Sequence, residues 1–373
     1  MAAKVWYSRL DSKKVSLLDK VEKLLKRAGL EQAIADRDLV AIKLHFGEPG
    51  NLAYIRPPYL RRTVDMIKKL GGRPFLTDAN TLYVGQRSNS VDHLEAAIQN
   101  GFDYAVVGAP LIIADGLTGK DYVKVPIGGV HFQEVNIGSA AYHADAMVVM
   151  THFKCHELTG FGGTIKNLGM GLGSRSGKQQ MHSDVLPKVK DDKCTGCAKC
   201  SEWCPADAIS MQLWEGNKKG QKAVIDEEKC WGCGECAVTC LFDAIRINWR
   251  TTPEACQQKM AEYALGAIHG KAGKVIYISF VMDISPECDC YGYNDHPIVQ
   301  DLGILASTDP VALDAACADL VNSMPGMPGS MAEGMSPGED KFARIHPGID
   351  GRAQLEHGEK IGLGQMAYQL VSV

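Results

Sequence analysis

Apolar residues along this chain come in two rhythms. Nearly continuous runs, "LVAIKLHF" (39–46), "RPFLTDAN" (73–80), "DAMVVMTHF" (145–153), "KVIYISFVMDIS" (274–285) and "DLGILAS" (301–307), predict short buried strands. Between them, "PPYLRRTVDMIKKLGG" keeps Leu60, Val64, Ile67 and Leu70 on one stripe, opens on proline and closes on glycine, as an amphipathic helix does. "SVDHLEAAIQNG" (90–101) predicts a second helix, with Ser90 as cap and Gly101 as stop. "DPVALDAACADLVN" predicts a third, capped by Asp309 with Pro310 in the first turn. Strands alternating with helices imply an α/β fold, a mainly parallel sheet with helices on both faces. Ligands of such sheets collect beyond the carboxyl ends of the strands. Those ends are expected to carry His45 and Glu48, Asp78 and Asn80, residues 152–157, Cys288 and Cys290, and Ser307 with Asp309.

The rhythm breaks over residues 190–250, where short cysteine-dense loops replace it. "CTGCAKCSEWCPADAISM" returns 36 positions later as "CWGCGECAVTCLFDAIRI". Cys194, Cys197, Cys200 and Cys204 follow C-x2-C-x2-C-x3-C with Pro205 next; Cys230, Cys233, Cys236 and Cys240 repeat the spacing with Leu241 in the proline position. Three thiolates so spaced converge on one [4Fe–4S] cubane, while the fourth of each run serves the other cluster. The expected sets are Cys194, Cys197, Cys200 and Cys240, and Cys230, Cys233, Cys236 and Cys204. Paired zinc knuckles are the competing explanation, but zinc does not require an interlocked eightfold pattern. The segment resembles a bacterial-type two-cluster ferredoxin over about 60 residues. The domain organisation expected is therefore an α/β domain in two parts, 1–189 and 251–373, around a ferredoxin-like insertion at 190–250.

"THFKCHELTGFGGTIKNLGMG" (151–171) concentrates His152, Cys155, His156 and Glu157 before a glycine-rich run. Three readings stay open. His152, Cys155 or His156 joins Cys288 and Cys290 of "CDC" around a third metal centre or third iron–sulfur cluster, since thiolate with imidazole suits zinc or iron–sulfur sites. Alternatively, the glycine-rich backbone with Lys166 cradles a carboxylate or phosphate. Neither a P-loop nor a dinucleotide fingerprint fits, and "SGKQQ" has Gln179 where a magnesium-binding hydroxyl belongs. In the third reading, the glycines make tight turns and the cysteines pack as small hydrophobes. That reading suits Cys256 and Cys317. His45 and Glu48 form a candidate acid–base pair. "TDANT" (77–81) either positions a substrate hydroxyl or closes a turn. The methionine-rich segment 323–340 contains Pro325 and Pro328 and is expected to be a loop, with a lid as its functional version.

Composition narrows the class. The 373 residues are 45% hydrophobic and 23% charged, enough apolar content for a sizeable core. A formal net charge of −4 gives no reason to expect nucleic acid. No window is apolar enough for a membrane span, and no export signal is evident, so thirteen cysteines argue for metal or redox chemistry in the cytoplasm over disulfides. The 39 glycines imply many turns or close backbone approaches.

"LHFGEPGN", "TDANTLY", the 151–171 stretch, "PECDC" and "LASTDPVALDAA" together resemble a prokaryotic family filed as domain of unknown function 362, many of whose members carry a ferredoxin insertion. The resemblance implies an α/β domain and two [4Fe–4S] clusters, without a reaction. The α/β part is also similar in fold to the N-terminal domain of nickel-dependent lactate racemases, an analogy of fold alone.

The function expected is electron transfer from a soluble redox partner protein, through two [4Fe–4S] clusters, to a metal or small-molecule substrate site at the strand ends. Catalytic candidates are His45, Glu48, His152, His156 and Lys166; metal-ligand candidates are Cys155, Cys288 and Cys290. Lys188, Lys190 and Lys193 are a candidate docking patch for the donor. Two other classes remain: a non-catalytic ferredoxin-type carrier or accessory subunit, and a metal-dependent non-redox enzyme of isomerase or racemase type.

Overall fold

The computed structural model describes residues 2–246 and 251–373, apart from 12, 13, 84, 185, 205 and 231. Eight strands form the central sheet: β1 (Ala3–Arg9), β2 (Leu39–Lys43), β3 (Arg73–Asp78), β4 (Leu111–Ile113), β5 (Ala146–His152), β6 (Val275–Val281), β7 (Gly303–Ser307) and β8 (Tyr368–Ser372). Their order is β8-β1-β7-β6-β5-β2-β3-β4. Every neighbouring pair is parallel except the two that β7 makes, with β1 and with β6. The mainly parallel α/β sheet expected from the sequence is present.

Burial explains why the central strands read as unbroken apolar runs. All seven residues of β5 are buried. Met147 and Val149 enter the hydrophobic core on one face of the sheet, while Ala146, Val148 and Met150 enter the core on the other. Val275 and Tyr277 alternate with Ile276 and Ile278 in the same way along β6. A strand covered on both faces has no polar side to alternate with.

Helix Pro57–Lys69 opens on proline as expected. Helix Ser90–Gln99 is capped by Asn89, whose side chain accepts from the Val91 and Asp92 N–H groups, so Ser90 is its first residue and not its cap. Asp309 caps helix Pro310–Asn322. Because β7 runs against its neighbours, that cap and Ser307 sit at the opposite end of the sheet from the other strand ends. Ser307 is in register with Val5 and Tyr277, near the starts of β1 and β6. Ser307 and Asp309 are thus helix-capping residues remote from the strand-end site. Residues 323–340 form turns without a helix, as expected. Ala332 is fully buried against the main core, and the segment packs on the body of the domain without lining the strand-end cavity described below. No lid is formed there.

The cysteine-rich segment lies between β5 and β6, two strands that pair directly. It contains the antiparallel hairpin Ile209–Leu213 with Gln221–Ile225, the short helices Lys199–Glu202 and Glu235–Thr239, and a bridge between Val189 and Ile245 that closes its base. Its hydrophobic cluster is its own: Cys194, Cys200, Ile209, Ala223, Cys236, Ala237, Ala244 and Ile245. Its expected end at 250 falls at 247–250, outside the described residues. None of the thirteen cysteines is in a disulfide. Among the described residues no helix is long and apolar enough to cross a membrane.

Candidate functional site

Two groups of four thiols come together in the cysteine-rich segment. Cys194, Cys197, Cys200 and Cys240 line one small cavity, and Cys204, Cys230, Cys233 and Cys236 line another. Each cavity takes three sulfurs from one run and the fourth from the other. The backbone repeats with the sequence. Left-handed residues recur 36 positions apart at Gly196 (φ 68°) and Gly232 (76°), at Ala198 (65°) and Gly234 (77°), and at Asp207 (46°) and Asp243 (55°). Left-handed residues among extended or helical ones turn successive N–H groups toward one side, the concavity that accommodates anions and iron–sulfur groups. Burial, then neighbouring sulfurs, pushes the Cys200 thiol up to about 11 and raises Cys236 as well. Crowded, buried sulfurs ionise readily only when positive charge is shared among them, and an inorganic iron core supplies such charge. The donor set of four thiols around each cavity therefore fits a positively charged metal group. Pro205 lies outside the described residues, and Leu241 is exposed.

The second site is a cavity of about 450 Å³ at the carboxyl ends of β2, β3 and β5. It is lined by five cationic side chains, Lys43, Arg87, Lys154, Lys166 and Lys178, against the carboxylates of Asp78 and Glu157. Four of the cations are buried and Lys166 half-buried. Lys43, last in β2, donates to Asn167 Oδ1 at 2.6 Å and pairs with Asp78 Oδ1 at 3.0 Å. Burial opposes ionisation of Asp78, yet Lys43 and then His93 and Arg87 hold its carboxyl below the ordinary value. Arg87 is tied to Glu48 Oε2 at 2.7 Å. Lys178 donates to the Gly173 carbonyl, and burial depresses its ammonium to about 8. These buried cations have counter-charges at hand: Asp78 for Lys43, Glu48 for Arg87, Asp289 for Lys154 and Asp115 near Lys178, so the cavity wall is a network of paired charges.

A corner of the cavity is made by "CDC". The Tyr291 N–H donates to the Cys288 carbonyl at 3.0 Å, closing a turn. Asp289 faces away from the cavity, pairing with His152 Nδ1 at 2.8 Å and Lys154 Nζ at 2.9 Å. Although burial works against it, those two partners keep its carboxyl well below the carboxylate range. The Lys166 ammonium donates to Cys288 Sγ at 3.1 Å. The neighbouring Cys290 thiol, with Lys166 and His156, holds the Cys288 thiol far below its ordinary value despite burial.

The structure thus regroups the residues singled out from sequence. His156, Lys166, Cys288 and Cys290 come together, and His45 lines the same cavity. Cys155 does not join them. Along the short strand Lys154–His156, side chains alternate, so Lys154 and His156 reach the cavity while Cys155 enters the hydrophobic core with Phe153 and Phe161. Burial raises its thiol. Among the described residues, no three His, Cys, Asp or Glu are arranged around a single metal ion.

His152 is a positioning residue. Its Nδ1 meets Asp289, and its Nε2 meets the Met282 and Asp283 carbonyls at 2.9 and 3.1 Å. His45 and Glu48 are not a pair: Glu48 is held by Arg87, Tyr83 and the Gln86 N–H, whereas His45 Nδ1 accepts from the Gly47 N–H and lies 4.0 Å from Asp289. Burial, with Arg87 and Lys154 nearby, keeps His45 neutral well below its usual range. In "TDANT", Asp78 serves Lys43, while Asn80 donates to Asp115 Oδ1 at 2.9 Å.

The glycine-rich run cradles a carboxylate, but one belonging to the chain itself. Asp314 accepts from the Thr164 and Ile165 N–H groups at 2.6 and 2.9 Å, occupying the N-terminus of helix Thr164–Leu172. A Cβ on Gly163 would lie 2.4 Å from Asp314 Oδ1. Gly169 and Gly171 serve packing, since a Cβ there would meet the Met260 carbonyl at 2.2 Å and Lys43 Nζ at 2.4 Å. No anion nest opens to the cavity through this backbone; of that reading only the Lys166 charge remains. Cys317 is core, as expected; Cys256 is buried but also borders the cavity, 3.9 Å from His182 Nδ1.

Sequence reasoning missed Lys43, Arg87, Lys154, Lys178 and Asp289. Lys43 had a signal, a lone charge within an apolar strand, and Asp289 had one in standing between two singled-out cysteines. Arg87 had none.

Over residues 40–319 the chain matches the family described as Domain of unknown function (DUF362). No curated protein matches it. Among solved structures it is similar to the lactate racemase apoprotein from Thermoanaerobacterium thermosaccharolyticum, at 14% identity and a TM-score of 0.39, over 75% of this chain and 51% of that one. It is also similar to a Thermotoga maritima protein from a structural genomics programme, at 10% identity and a TM-score of 0.34, over 92% of this chain and 58% of that one. The chain spans little more than half the length of either, and likenesses at these scores carry no argument about chemistry. The family match takes in the whole span from β2 to helix Pro310–Asn322, the cysteine-rich segment included, and the chain belongs to the domain of unknown function 362 family.

Proposed function

We propose that this chain is an iron–sulfur oxidoreductase that passes electrons from a soluble donor, through two [4Fe–4S] clusters, to a small anionic substrate in the cationic cavity. The observation that carries this reading is the sorting of eight thiols into two fours, each borrowing one sulfur from the other run. Cys194, Cys197, Cys200 and Cys240 hold one group; Cys204, Cys230, Cys233 and Cys236 hold the other. When bound, each group supplies one-electron transfer.

The remaining work falls to the protein's own side chains. Lys43, Lys154 and Lys178 attract and orient the anion, and Asn167 fixes the Lys43 ammonium. His45 and His156 border the same space with depressed proton affinity, in a form able to accept a proton from a bound substrate. Helix Arg175–His182 supports a link between the two regions: Lys178 and His182 line the strand-end cavity, while a Cβ on Gly234, beside the second thiol set, would lie 2.3 Å from Gln179 Cγ. A simple carrier would not need a ring of buried cations.

Anaerobic purification followed by metal analysis tests the first half. About eight irons per chain are expected, about twelve would add a third cluster, and eight plus one zinc or nickel would add a mononuclear centre. Absence of iron, with zinc on the same thiols, would overturn the reading. The reduced protein is then mixed with small carboxylates and phosphate-bearing anions. Reoxidation coupled to product formation supports the proposal; turnover without any change in cluster oxidation state would move the protein to the isomerase class.

A further inference from the structure

The "CDC" corner carries chemistry that anion binding does not use. We propose that Cys288 and Cys290 are a redox-active dithiol that closes reversibly to a disulfide at the edge of the cationic cavity, with Lys166 as its positioning cation. The inference deepens the oxidoreductase reading and rests on it only for the source of electrons inside the protein.

The backbone is already suited to closure. In the turn closed by the Tyr291 N–H and the Cys288 carbonyl, Cys288 and Cys290 are the first and third of four residues, a spacing that falls within the roughly 4.4–6.8 Å Cα separation that a disulfide spans. The turn keeps the two cysteine side chains close enough to influence each other, and Cys290 lines the cavity, so a reagent entering it meets the pair from that side. The turn is held on several sides. Asp289 is pinned by His152 and Lys154, its carbonyl accepts from the Glu48 N–H, and Tyr83 donates to the Cys290 carbonyl.

Lys166 decides between thiol chemistry and metal binding. Its ammonium, 3.1 Å from Cys288 Sγ, provides the positive charge that a metal would otherwise bring, and stands where a metal would have to approach. A thiol beside lysine and histidine in a partly accessible pocket is the setting of a reactive cysteine. Closure joins the two sulfurs and releases two electrons and the single proton shared by the thiolate–thiol pair. A small disulfide can take up all of these: its S–S bond breaks, and one thiol and one thiolate leave. In the reverse direction, a dithiol or two one-electron transfers return the electrons, and one proton is taken up.

The test uses the iron-loaded full-length chain, held anaerobically in oxidised or reduced glutathione, then acid-quenched, alkylated, digested and weighed. Iron content is measured on the same samples. After the oxidised buffer, the peptide holding Cys288 and Cys290 is expected to escape alkylation and to be lighter by two hydrogens; dithiothreitol should restore both labels. Lys166→Met should slow alkylation of the reduced pair at neutral pH by about tenfold, because less of it is thiolate. Cys290→Ser, at the more open position, should abolish the two-hydrogen loss, leaving Cys288 alkylated after the reduced buffer and carrying glutathione as a mixed disulfide after the oxidised one. A fully iron-loaded chain whose pair stays reduced in oxidised glutathione overturns the inference and leaves the oxidoreductase reading standing. So does an extra metal ion per chain that Cys290→Ser removes. An iron-free chain that still closes and reopens the disulfide upholds the dithiol and overturns the cluster reading.

Discussion

The cysteine-rich segment and the cationic cavity are both built from residues that attract charge, yet they are assembled in opposite ways. In the first, eight sulfurs come from two short runs, and local spacing brings three of every four together. In the second, Lys43, Arg87, Lys154, Lys166 and Lys178 come from five stretches of chain that only the sheet and its crossovers assemble. The first can tolerate distortion of its surroundings, because its geometry is written in adjacent residues. The second depends on the sheet, and on each buried charge having a partner.

The sharpest test of the local half is exchange between the runs. Cys204→Ser is expected to remove about four of about eight irons and to give the same residual spectrum as Cys230→Ser, although 204 belongs to the first run. Cys200→Ser should leave the other spectrum. If Cys204→Ser matched Cys200→Ser, the interlocked sets would be wrong.

The assembled half should fail by destabilisation. Lys43→Met leaves Asp78 buried without its main counter-charge, which costs about 3–5 kcal/mol, read as a lowered urea midpoint. An unchanged midpoint would mean that the pair contributes nothing net.

Asp314 offers an intermediate effect with a pH signature. Asp314→Ala orphans the Thr164 and Ile165 N–H groups, at about 1–3 kcal/mol each, whereas Asp314→Asn keeps an acceptor. Burial, outweighing those two hydrogen bonds, pushes the Asp314 carboxyl from 3.8 up to about 6. Between those values the folded chain retains a proton that the unfolded chain has released. The contribution of this group is therefore full below pH 3.8 and falls as pH rises through 6. Asp314→Asn should flatten that part of the stability–pH curve, and a slope equal to wild type would remove Asp314 as its origin.

The smallest effect belongs to Ala198, a left-handed residue whose counterpart in the repeat is Gly234. Ala198→Gly relieves backbone strain at a cost in unfolded-chain entropy, for a net gain of less than about 1 kcal/mol in thermal unfolding.

What could be read in advance follows the same division. Strands buried on both faces announced themselves as apolar runs, and helix Pro310–Asn322 by its Asp-Pro start. Strand direction was not legible: nothing in "GILAS" tells that β7 runs against its neighbours, so Ser307 and Asp309 were assigned to the wrong end. Side-chain direction was the second loss. Cys155 and His156 are adjacent in a cluster that looks like one site, and the alternation of a three-residue strand sends one to the core and the other to the cavity. The third was the identity of a partner. The bare backbone at 163–165 did indicate a carboxylate, but nothing local said that it would be Asp314, some 150 positions later.

Helix Arg175–His182 turns one side to the cavity and, through Gln179, meets Gly234 beside the second thiol set. At that point the wall between the two compartments is a single helix, about 10–12 Å across with its side chains. Enlarging Gly234 would push on Gln179 and, through the next residue back, on Lys178. A disturbance on the sulfur side is therefore delivered mechanically to the charge that faces the cavity.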